Sequence, residues 1–285
     1  MMIEVDRVSY SCRKADKPLL NQISFRIPEG QWVSIIGRNG SGKSTLVKLL
    51  NRLLPSSEGR IYIDGVELTN QSVGSIREQV GMVFPNPDHQ FVGLTVVDDI
   101  VFGLENRCLD RLTMQDRVAH YADKLHITHL LDRHPNQLSG GQKQRAALAA
   151  VLAMEPRIVI FDEATSMLDE GSKHEIIGIM QEMKLSGQYT LISVTHDHEE
   201  IVSSDRTLAL VNGAIVADCK SNEIWTQDEL LASCGLKPTF LVELRRELVH
   251  RGIQLGPSLH EKEVVDALWQ LYLRTSAIPT TIPEA

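Results

Sequence analysis

A short glycine-rich segment that ends in a lysine and two hydroxyl residues carries the clearest chemical pattern in the sequence. Residues 37–45 read GRNGSGKST, and they lie between an apolar run typical of a buried strand and an apolar run typical of a helix. Glycines at this spacing let the backbone curl so that successive N–H groups point at phosphates, and the N-terminus of the next helix adds positive potential. The pattern predicts a phosphate-binding loop.

Several residue types in this loop have a specific task in nucleotide binding. Lys43 is expected to reach the β- and γ-phosphates of ATP, and Ser44 to ligate Mg²⁺. An incidental glycine turn is a weaker alternative, and a dinucleotide-binding loop is weaker still because it does not use the Lys-Ser pair. The residues assigned to the phosphate loop are Gly37, Asn39, Gly40, Ser41, Gly42, Lys43, Ser44 and Thr45.

Two carboxylates and a histidine follow other runs that are typical of buried strands. Asp162 and Glu163 end the run IVIFDE, and His196 ends the run TLISVTH. We expect Asp162 to hold Mg²⁺, Glu163 to activate the attacking water, and His196 to contact the γ-phosphate. The segment HDHEE also contains metal-ligand types, but two histidines with this spacing and no third ligand are a weak metal pattern.

A second anion-binding pattern occurs where the sequence predicts the start of a helix. Residues 138–142 read LSGGQ, and glycines at a helix start expose N–H groups and a serine hydroxyl to an anion. The phosphate loop of the same chain already holds one nucleotide, so a second anion site requires a second nucleotide. With this motif, the sequence from about residue 3 to 225 resembles the ATP-binding subunits of ABC transporters.

The resemblance implies two ATP sites at the interface of a dimer. In this family the signature residues, here Ser139, Gly140, Gly141 and Gln142, close on ATP held by the opposite subunit. By the same analogy Tyr10 stacks on adenine and Asp169 reaches across the dimer. An ordinary strand aromatic remains the alternative for Tyr10, because aromatic residues are common in strands.

The segment GMVFPNPDHQF, residues 81–91, departs from the family pattern. In the family a glutamine at the position of Pro85 joins magnesium and water to the transmembrane partner. We expect either Gln90 or a water to replace it, or hydrolysis in this site to be slower. A tolerated replacement and a handicapped site in an asymmetric pair both stay open.

The sequence that follows Pro85 narrows the resemblance to the energy-coupling factor transporter ATPases, and to the first of the two ATPases in heterodimeric versions. The resemblance implies an importer of vitamins or trace metals. Its expected partners are a second ATPase, with a related chain favoured over an identical one, a membrane coupling subunit and substrate-binding membrane subunits. Asp88, Asp98 and Asp99 would make the docking groove acidic, unless these carboxylates simply favour a helix N-terminus.

The elements that position these residues predict an α/β fold, and the resemblance implies that it is a P-loop NTPase of ABC type. Alternating runs near the N-terminus, with Asp64-Gly65 as a hairpin signal, predict an antiparallel β subdomain. Buried-strand runs that alternate with helices predict a parallel sheet. We expect an ATP-binding domain over residues 1–228 with a helical subdomain at about 86–155. A small C-terminal helical appendage at 235–285 is expected to pack on the domain and to help dimerisation.

Composition excludes several other classes. The chain has 285 residues, 42% of them apolar, and a net charge of −8 with no basic tract, so we expect no nucleic-acid partner. Four widely spaced cysteines indicate free thiols, and no apolar run is long enough for a membrane helix. These features predict a chain that is kept in the cytosol, and the family resemblance implies a peripheral position on the cytoplasmic face of the cell membrane. An ordinary ABC importer ATPase and a soluble ABC-type ATPase acting on ribosomes or DNA remain the alternatives.

Overall fold

Two β-sheets and a set of helices form the protein in a computed structural model that describes residues 2–11, 17–251, 253 and 261–276. The strands of the described residues are, in chain order, β1 (Ile3–Tyr10), β2 (Leu20–Ile27), β3 (Trp32–Ile36), β4 (Glu58–Ile63), β5 (Val66–Glu67), β6 (Val80–Val83), β7 (Ile158–Asp162), β8 (Thr190–Val194), β9 (Arg206–Val211) and β10 (Ala214–Lys220). The α-helices are α1 (Lys43–Leu50), α2 (Val73–Arg77), α3 (Val96–Glu105), α4 (Arg111–Lys124), α5 (Gly140–Ala153), α6 (Glu170–Leu185), α7 (His198–Ser203), α8 (Asp228–Cys234), α9 (Phe240–His250) and α10 (Glu261–Ser276).

The four-stranded sheet near the N-terminus is antiparallel, with strand order β2-β1-β4-β5. Asp64 and Gly65 join β4 to β5 with positive φ angles of 49° and 77°, and Ile63 pairs with Val66 across the turn. Two successive positive φ angles are the geometry of the type I′ hairpin turn that the Asp-Gly pair favours. The predicted antiparallel subdomain and its hairpin are therefore present.

The six-stranded sheet has the order β10-β9-β3-β8-β7-β6, and only the β9–β10 pair in it is antiparallel. Strands β3, β7 and β8 are buried along their whole length, as expected of a parallel sheet covered on both faces. Their carboxyl ends meet at one edge of the sheet, where ligands bind in open α/β folds. The predicted parallel sheet is confirmed, and this edge carries the candidate site.

Helices cover the faces of the parallel sheet and enclose separate clusters of buried apolar side chains. One cluster lies between the two sheets and includes residues of α1, and a second joins β7 to α3, α4, α5 and α6. Many residues of the second cluster belong to the predicted helical subdomain at about 86–155. The signature helix α5 packs against both α3 and α4 in this part of the chain.

A third buried cluster ties the C-terminal part of the chain to the parallel sheet. Leu231 and Cys234 of α8 pack with Ile36 of β3 and Ala209 of β9. Helix α8 is not among the predicted elements, whereas α9 and α10 lie in the predicted C-terminal helical appendage. Residues 252, 254–260 and 277–285 of the predicted C-terminal appendage lie outside the described residues.

Two further expectations concern the state of the cysteines and the presence of membrane-spanning helices. Cys108, Cys219 and Cys234 are free thiols, and Cys12 lies outside the described residues. Among the helices that the structure describes, none combines the length and the apolar character needed to span a bilayer.

Candidate functional site

The phosphate loop follows β3 and has a backbone path that requires glycine. Gly37 has a φ angle of 150°, and a Cβ atom there would lie 2.1 Å from the carbonyl oxygen of Leu210. Gly42 has a φ angle of 105°, and a Cβ atom there would lie 2.6 Å from Cδ2 of Leu20. The contact at Gly37 is with backbone, which cannot give way, so packing excludes any side chain there. At Gly42 the neighbour is the end of a leucine side chain, and the positive φ angle is what favours glycine.

The end of the loop presents unused hydrogen-bonding groups. Helix α1 begins after Gly42 without a side-chain cap, so the N–H groups of its first turn keep no side-chain acceptor among the described residues. The buried hydroxyl of Ser41 also finds no hydrogen-bond partner in the described part of the chain. Orphan donors at a helix N-terminus fit a phosphate group. Asn39 and Gly40 are exposed at the tip of the loop, and Thr45 is half-buried in α1.

Lys43 is buried, with 4% of its surface exposed, and its ammonium group lies at the centre of the site. Nζ donates to the carbonyl oxygen of Gly37 at 2.7 Å, lies 3.1 Å from Nε2 of His196, and lies 3.8 Å from a carboxylate oxygen of Glu163. Burial lowers the pKa of Lys43, and the nearby Glu163 carboxylate opposes that shift. The structure therefore brings together three residues that the sequence predicts on three separate segments.

Ser44 and Asp162 form the candidate magnesium position. The hydroxyl of Ser44 donates to Oδ1 of Asp162 at 2.7 Å, and Asp162 ends β7 with only 1% of its surface exposed. Burial raises the pKa of Asp162, and the hydrogen bond from Ser44 lowers it in part. A buried carboxylate and a hydroxyl in contact are oxygen ligands of the type that Mg²⁺ prefers, so these residues fit that ion.

Glu163 and His196 flank Lys43 with different environments. Glu163 has a positive φ angle of 51°, held by a hydrogen bond from its N–H to the carbonyl of Val194. Such conformations cost energy in residues other than glycine and concentrate at functional sites. Burial and the Lys43 charge lower the pKa of His196, which favours a neutral imidazole that accepts a hydrogen bond from Lys43.

The signature residues lie at the start of α5, as predicted. Ser139 and Gln142 form a capping box, since the Ser139 hydroxyl accepts from the Gln142 N–H and the Gln142 amide accepts from the Ser139 N–H. This S-x-x-Q spacing is a helix-start signal that the sequence analysis did not use. Gly140 is exposed, whereas a Cβ atom at Gly141 would lie 2.2 Å from the Ser172 hydroxyl. The small residues therefore let α5 approach α6 closely.

Asp169 and Tyr10 have local structural roles in the described chain. Asp169 is exposed and caps α6, where its carboxylate accepts from the N–H and the hydroxyl of Ser172. These hydrogen bonds lower the pKa of Asp169. Tyr10 ends β1 and packs, partly buried, against the apolar cluster between the sheets. The predicted contacts of Asp169 with a partner and of Tyr10 with adenine stay predictions.

Residues 84–91, which we call the proline loop, connect β6 to the segment before α3. Gln90, expected as a substitute ligand, accepts from the Phe84 N–H at 3.3 Å and donates to the Ala147 carbonyl of α5 at 3.1 Å. Asp88 of the same loop pairs with Lys143 of α5 at 2.6 Å. The amide oxygen of Gln90 thus bonds within the loop, and the amide nitrogen fastens the loop to the signature helix. The expected role of Gln90 as a substitute ligand stays a prediction.

For the predicted acidic groove, the structure supports the alternative role of two carboxylates at a helix start. Asp99 is buried and accepts from the N–H groups of Val92 and Gly93, while Asp98 closes a capping box with Thr95. These two carboxylates therefore stabilise the start of α3, which is the alternative stated for them. Three large apolar side chains are also exposed in this part of the chain: Val92, Leu94 and Phe102.

Sequence reasoning missed the contact that joins the phosphate loop to the C-terminal segment. The guanidinium of Arg38 donates to the carbonyl of Ala232 in α8 at 2.8 Å, and the two residues are 194 positions apart. The Arg38 side chain also packs near Gly235, which ends α8 in a left-handed conformation. The sequence gives no sign of this contact, and Arg38 is distinguished there only by its position inside the phosphate motif.

Comparison with known proteins places the chain among the ATP-hydrolysing subunits of transporters. Residues 20–166 match the ABC transporter family, and this fold and site define an ABC-type ATPase. The EcfA1 energy-coupling factor transporter ATP-binding protein of Levilactobacillus brevis is 42% identical over 94% of this chain and 97% of that protein. The EcfA1 protein of Streptococcus agalactiae is 43% identical over 90% of this chain and 92% of that protein. The chain belongs to this EcfA1 family.

Solved structures support the same fold. CbiO1 from Clostridium perfringens, described as part of the ABC transporter complex cbiONQ, has a TM-score of 0.74 at 31% identity and covers 86% of this chain and 98% of that one. The dimeric ATP-binding cassette MJ0796 bound to ADP and Pi has a TM-score of 0.70 at 26% identity, with 77% and 99% covered. The predicted ABC-type fold and the predicted family are confirmed.

Proposed function

We propose that this chain binds and hydrolyses ATP to power an energy-coupling factor importer for vitamins or trace metals, acting through a membrane coupling subunit. The observation that carries the proposal is the convergence of Lys43, Ser44, Asp162, Glu163 and His196 at the carboxyl edge of the parallel sheet. The membership of the EcfA1 family supports the transport role. The identity of the importer follows from that family and not from the site.

Nucleotide binding uses groups that lie ready in the loop. The Lys43 ammonium shares its hydrogen bonds with the carbonyls of Gly37 and Arg38 and with His196. When the phosphates of ATP bind, Lys43 is expected to turn its charge to them, because a phosphate is a stronger partner than a backbone carbonyl. The first N–H groups of α1 and the Ser41 hydroxyl then supply further donors to the phosphates.

Magnesium would be held by Ser44 and Asp162 together with phosphate oxygens. The bound ion would neutralise the negative charge that develops on the phosphates as the γ-phosphoryl group is transferred to water. The Ser44 hydroxyl would exchange its bond to Asp162 for the ion, and the ion would add positive charge beside the buried Asp162, whose pKa Lys48 and Lys43 already lower in part. Both changes favour binding of the ion together with the nucleotide.

Glu163 is the residue proposed to activate the attacking water. Its side chain lies on the open side of Lys43 and is partly exposed, so a water molecule can reach it. A carboxylate at hydrogen-bond distance from water removes a proton as the water attacks phosphorus. His196, neutral and next to Lys43, is placed to contact the γ-phosphate and to orient the same water.

We propose that a second ABC ATPase subunit completes the site, and that a related chain is favoured over an identical one. The signature residues Ser139, Gly140, Gly141 and Gln142 lie at an exposed helix start, from which they can face ATP held by that subunit. The MJ0796 cassette is described as dimeric, which supports pairing. Pro85 in the proline loop supports a related partner, because an unequal pair can keep its standard loop in the other chain.

The membrane-facing surface is proposed to include Val92, Leu94 and Phe102. These apolar side chains are exposed in the segment before α3 and on α3 itself, next to the proline loop. Exposed apolar patches of this kind mark contact surfaces. We propose that a membrane coupling subunit docks there and holds the chain, with substrate-binding membrane subunits, at the cytoplasmic face of the cell membrane.

The C-terminal helices are proposed to help join the two ATPase subunits. Val264 of α10 is buried, while Val265, Trp269 and Tyr272 are exposed on the same helix at helical spacing. The rings of Trp269 and Tyr272 stack with their centroids 5.8 Å apart. A Trp269→Ser variant is expected to weaken subunit pairing in sedimentation experiments while leaving the fold intact, and unchanged pairing would contradict this role.

The hydrolytic role is tested with Glu163→Gln in the full chain assembled with its partners. We expect ATP hydrolysis to fall at least about 100-fold, while ATP binding is retained, because the amide cannot remove a proton from water. Glu170→Gln is the matched control, since Glu170 is an exposed carboxylate at the start of the nearby helix α6. Equal hydrolysis by the wild-type chain and the Glu163 variant would overturn the assignment.

The transport role is tested by purifying the tagged chain from membranes of its host in mild detergent and identifying what remains bound. Recovery of a second ATPase, a coupling membrane protein and several small substrate-binding membrane proteins is the expected result. One dedicated permease would indicate an ordinary ABC importer. Ribosomal or DNA-repair proteins without any membrane protein would contradict the transport role.

A further inference from the structure

A carboxyl group that the proposed mechanism does not use lies buried beside the hydrolytic residues. Glu200, in the first turn of α7, has 1% of its surface exposed. Its Oε1 accepts a hydrogen bond from the hydroxyl of Thr165 at 3.4 Å. The hydroxyl of Thr195 acts on the same carboxyl group and lowers its pKa. Its Oε2 has no hydrogen-bond partner among the described residues. A buried carboxyl group without full pairing is costly, so its presence calls for a role.

The two threonines belong to the two loops that carry the hydrolytic side chains. Thr165 comes two residues after Glu163, and Thr195 comes directly before His196. Both threonines are buried, and they lie in the loops that follow two different strands, β7 and β8. Glu200 is thus the point where the loop of the proposed base and the loop of the γ-phosphate contact meet.

We propose that Glu200 is a positioning residue for ATP hydrolysis, whose carboxyl group, shared by the Thr165 and Thr195 hydroxyls, fixes Glu163 and His196 relative to each other. This inference rests on the hydrolytic role proposed above. Both residues must act on the same water and phosphate, and misplacement of a reacting group by about 1 Å can cost about 100-fold in rate.

The hydrogen bonds from the threonine hydroxyls favour the ionised form of Glu200 and lower its pKa, but burial outweighs them and favours the neutral carboxyl group. The Thr195 oxygen accepts from the N–H of Asp197 at 2.9 Å, so the Thr195 proton is free to bond to Glu200. A protonated carboxyl group can donate as well as accept, which allows it to satisfy hydroxyl partners without a buried charge.

The charged groups near Glu200 act on it in opposite directions. Asp197, which caps α7, raises the pKa of Glu200, and Lys173 of α6 lowers it. Lys173 is itself paired with Asp197 at 3.2 Å and with Glu170 at 2.8 Å, which reduces its effect on Glu200. Burial is the largest cause and raises the pKa of Glu200 to about 8.

The test compares substitutions at Glu200 in the full chain within the purified transporter, with ATP hydrolysis as the readout. Glu200→Gln keeps a neutral hydrogen-bonding group of the same shape, and Glu200→Ala removes it. Thr165→Val removes one of the two hydroxyls at nearly constant volume and serves if the alanine variant fails to fold. Glu199→Gln is the matched control, because Glu199 is the partly exposed neighbour that pairs with His174.

We expect Glu200→Ala to lower kcat about tenfold, and Thr165→Val about threefold, with KM for ATP changed less than about twofold. Glu200→Gln should keep kcat within about threefold of wild type. Wild-type kcat should also fall as the pH rises past about 8, because Glu200 then ionises, and the glutamine and alanine variants should lack that fall. Glu199→Gln should behave as wild type.

Two results would overturn the inference. One is a Glu200→Ala or Thr165→Val variant that loses thermal stability but keeps wild-type kcat, which would make the carboxyl group structural only. The other is a Glu200→Gln variant as slow as the alanine variant. Failure of the proposed function looks different, because then the wild-type complex and Glu163→Gln hydrolyse ATP equally.

Discussion

The phosphate loop and the proline loop are held in place by different kinds of contact. The phosphate loop is fixed by backbone packing, since Gly37 leaves no room for a Cβ atom. The proline loop is fixed by side chains, through Gln90 and the Asp88–Lys143 ion pair to helix α5. The first loop therefore depends on glycine where its backbone packs against β9, whereas the second depends on individual side-chain contacts to α5.

The largest expected effect is in the phosphate loop. Gly37→Ala places a Cβ atom 2.1 Å from the Leu210 carbonyl oxygen, and that backbone group cannot move without distorting β9. We expect a loss of about 2–4 kcal/mol in the free energy of unfolding and ATP binding weakened at least about tenfold. Thermal unfolding and titration with a fluorescent nucleotide measure the two effects.

Gly178→Ala is the control for that substitution. Gly178 lies in helix α6, its φ angle is not positive, and a Cβ atom there meets nothing within 4 Å. We expect a gain of about 0.5–1 kcal/mol from the higher helix propensity of alanine. If both alanine variants unfold at the same temperature, backbone packing does not explain the intolerance of the phosphate loop.

A smaller effect of opposite sign is expected in the proline loop. Pro85→Gln restores a backbone N–H and adds an amide near the hydrolytic site, as in the family pattern. We expect kcat for ATP hydrolysis by the assembled complex to rise about threefold to tenfold, since one added ligand contributes modestly. Pro87→Ala, at the first position of the short 3-10 helix Pro87–His89, is the control and should bring no gain. An unchanged kcat for Pro85→Gln would identify Pro85 as a tolerated replacement.

The smallest effect is expected where the proline loop joins α5. Gln90→Ala removes one acceptor and one donor from backbone groups of Phe84 and Ala147, which should cost about 1–2 kcal/mol of stability. Because the loop would then follow α5 less closely, the number of ATP molecules hydrolysed per substrate imported should rise. Uptake and hydrolysis measured together in proteoliposomes provide this ratio. Gln71→Ala, in an exposed turn, should change neither quantity, and an unchanged ratio for Gln90→Ala would argue against mechanical coupling through Gln90.

Features that follow from a local sequence pattern, or from a general rule about parallel strands, could be predicted. The Asp64-Gly65 turn, the phosphate loop after β3 and the buried strands of the parallel sheet each follow from a local pattern of turn residues or apolar runs. The meeting of Lys43 with Glu163 and His196 was also predictable, because the carboxyl ends of parallel strands lie at one edge.

Features that depend on distant packing could not be predicted. Nothing in the sequence near Arg38 indicates its bond to Ala232, and nothing near Glu200 indicates that Thr165 lies against it. Asp99 has the charge of a surface residue but is buried by its bonds to the N–H groups of Val92 and Gly93. In each case tertiary packing decides the partner, and local propensity carries no information about it.

The position of β3 in its sheet sets the order in which the site can form during synthesis. Strand β3 pairs with β8 on one side and with β9 on the other, and both strands come more than 150 residues later in the chain. The ribosome makes chains from the N-terminus at about 5–20 residues per second, so the strand that leads into the phosphate loop waits roughly 10 seconds or more for both neighbours. Nucleotide binding therefore becomes possible only late in synthesis. Ribosome-bound chains that stop before β9 should not retain ATP.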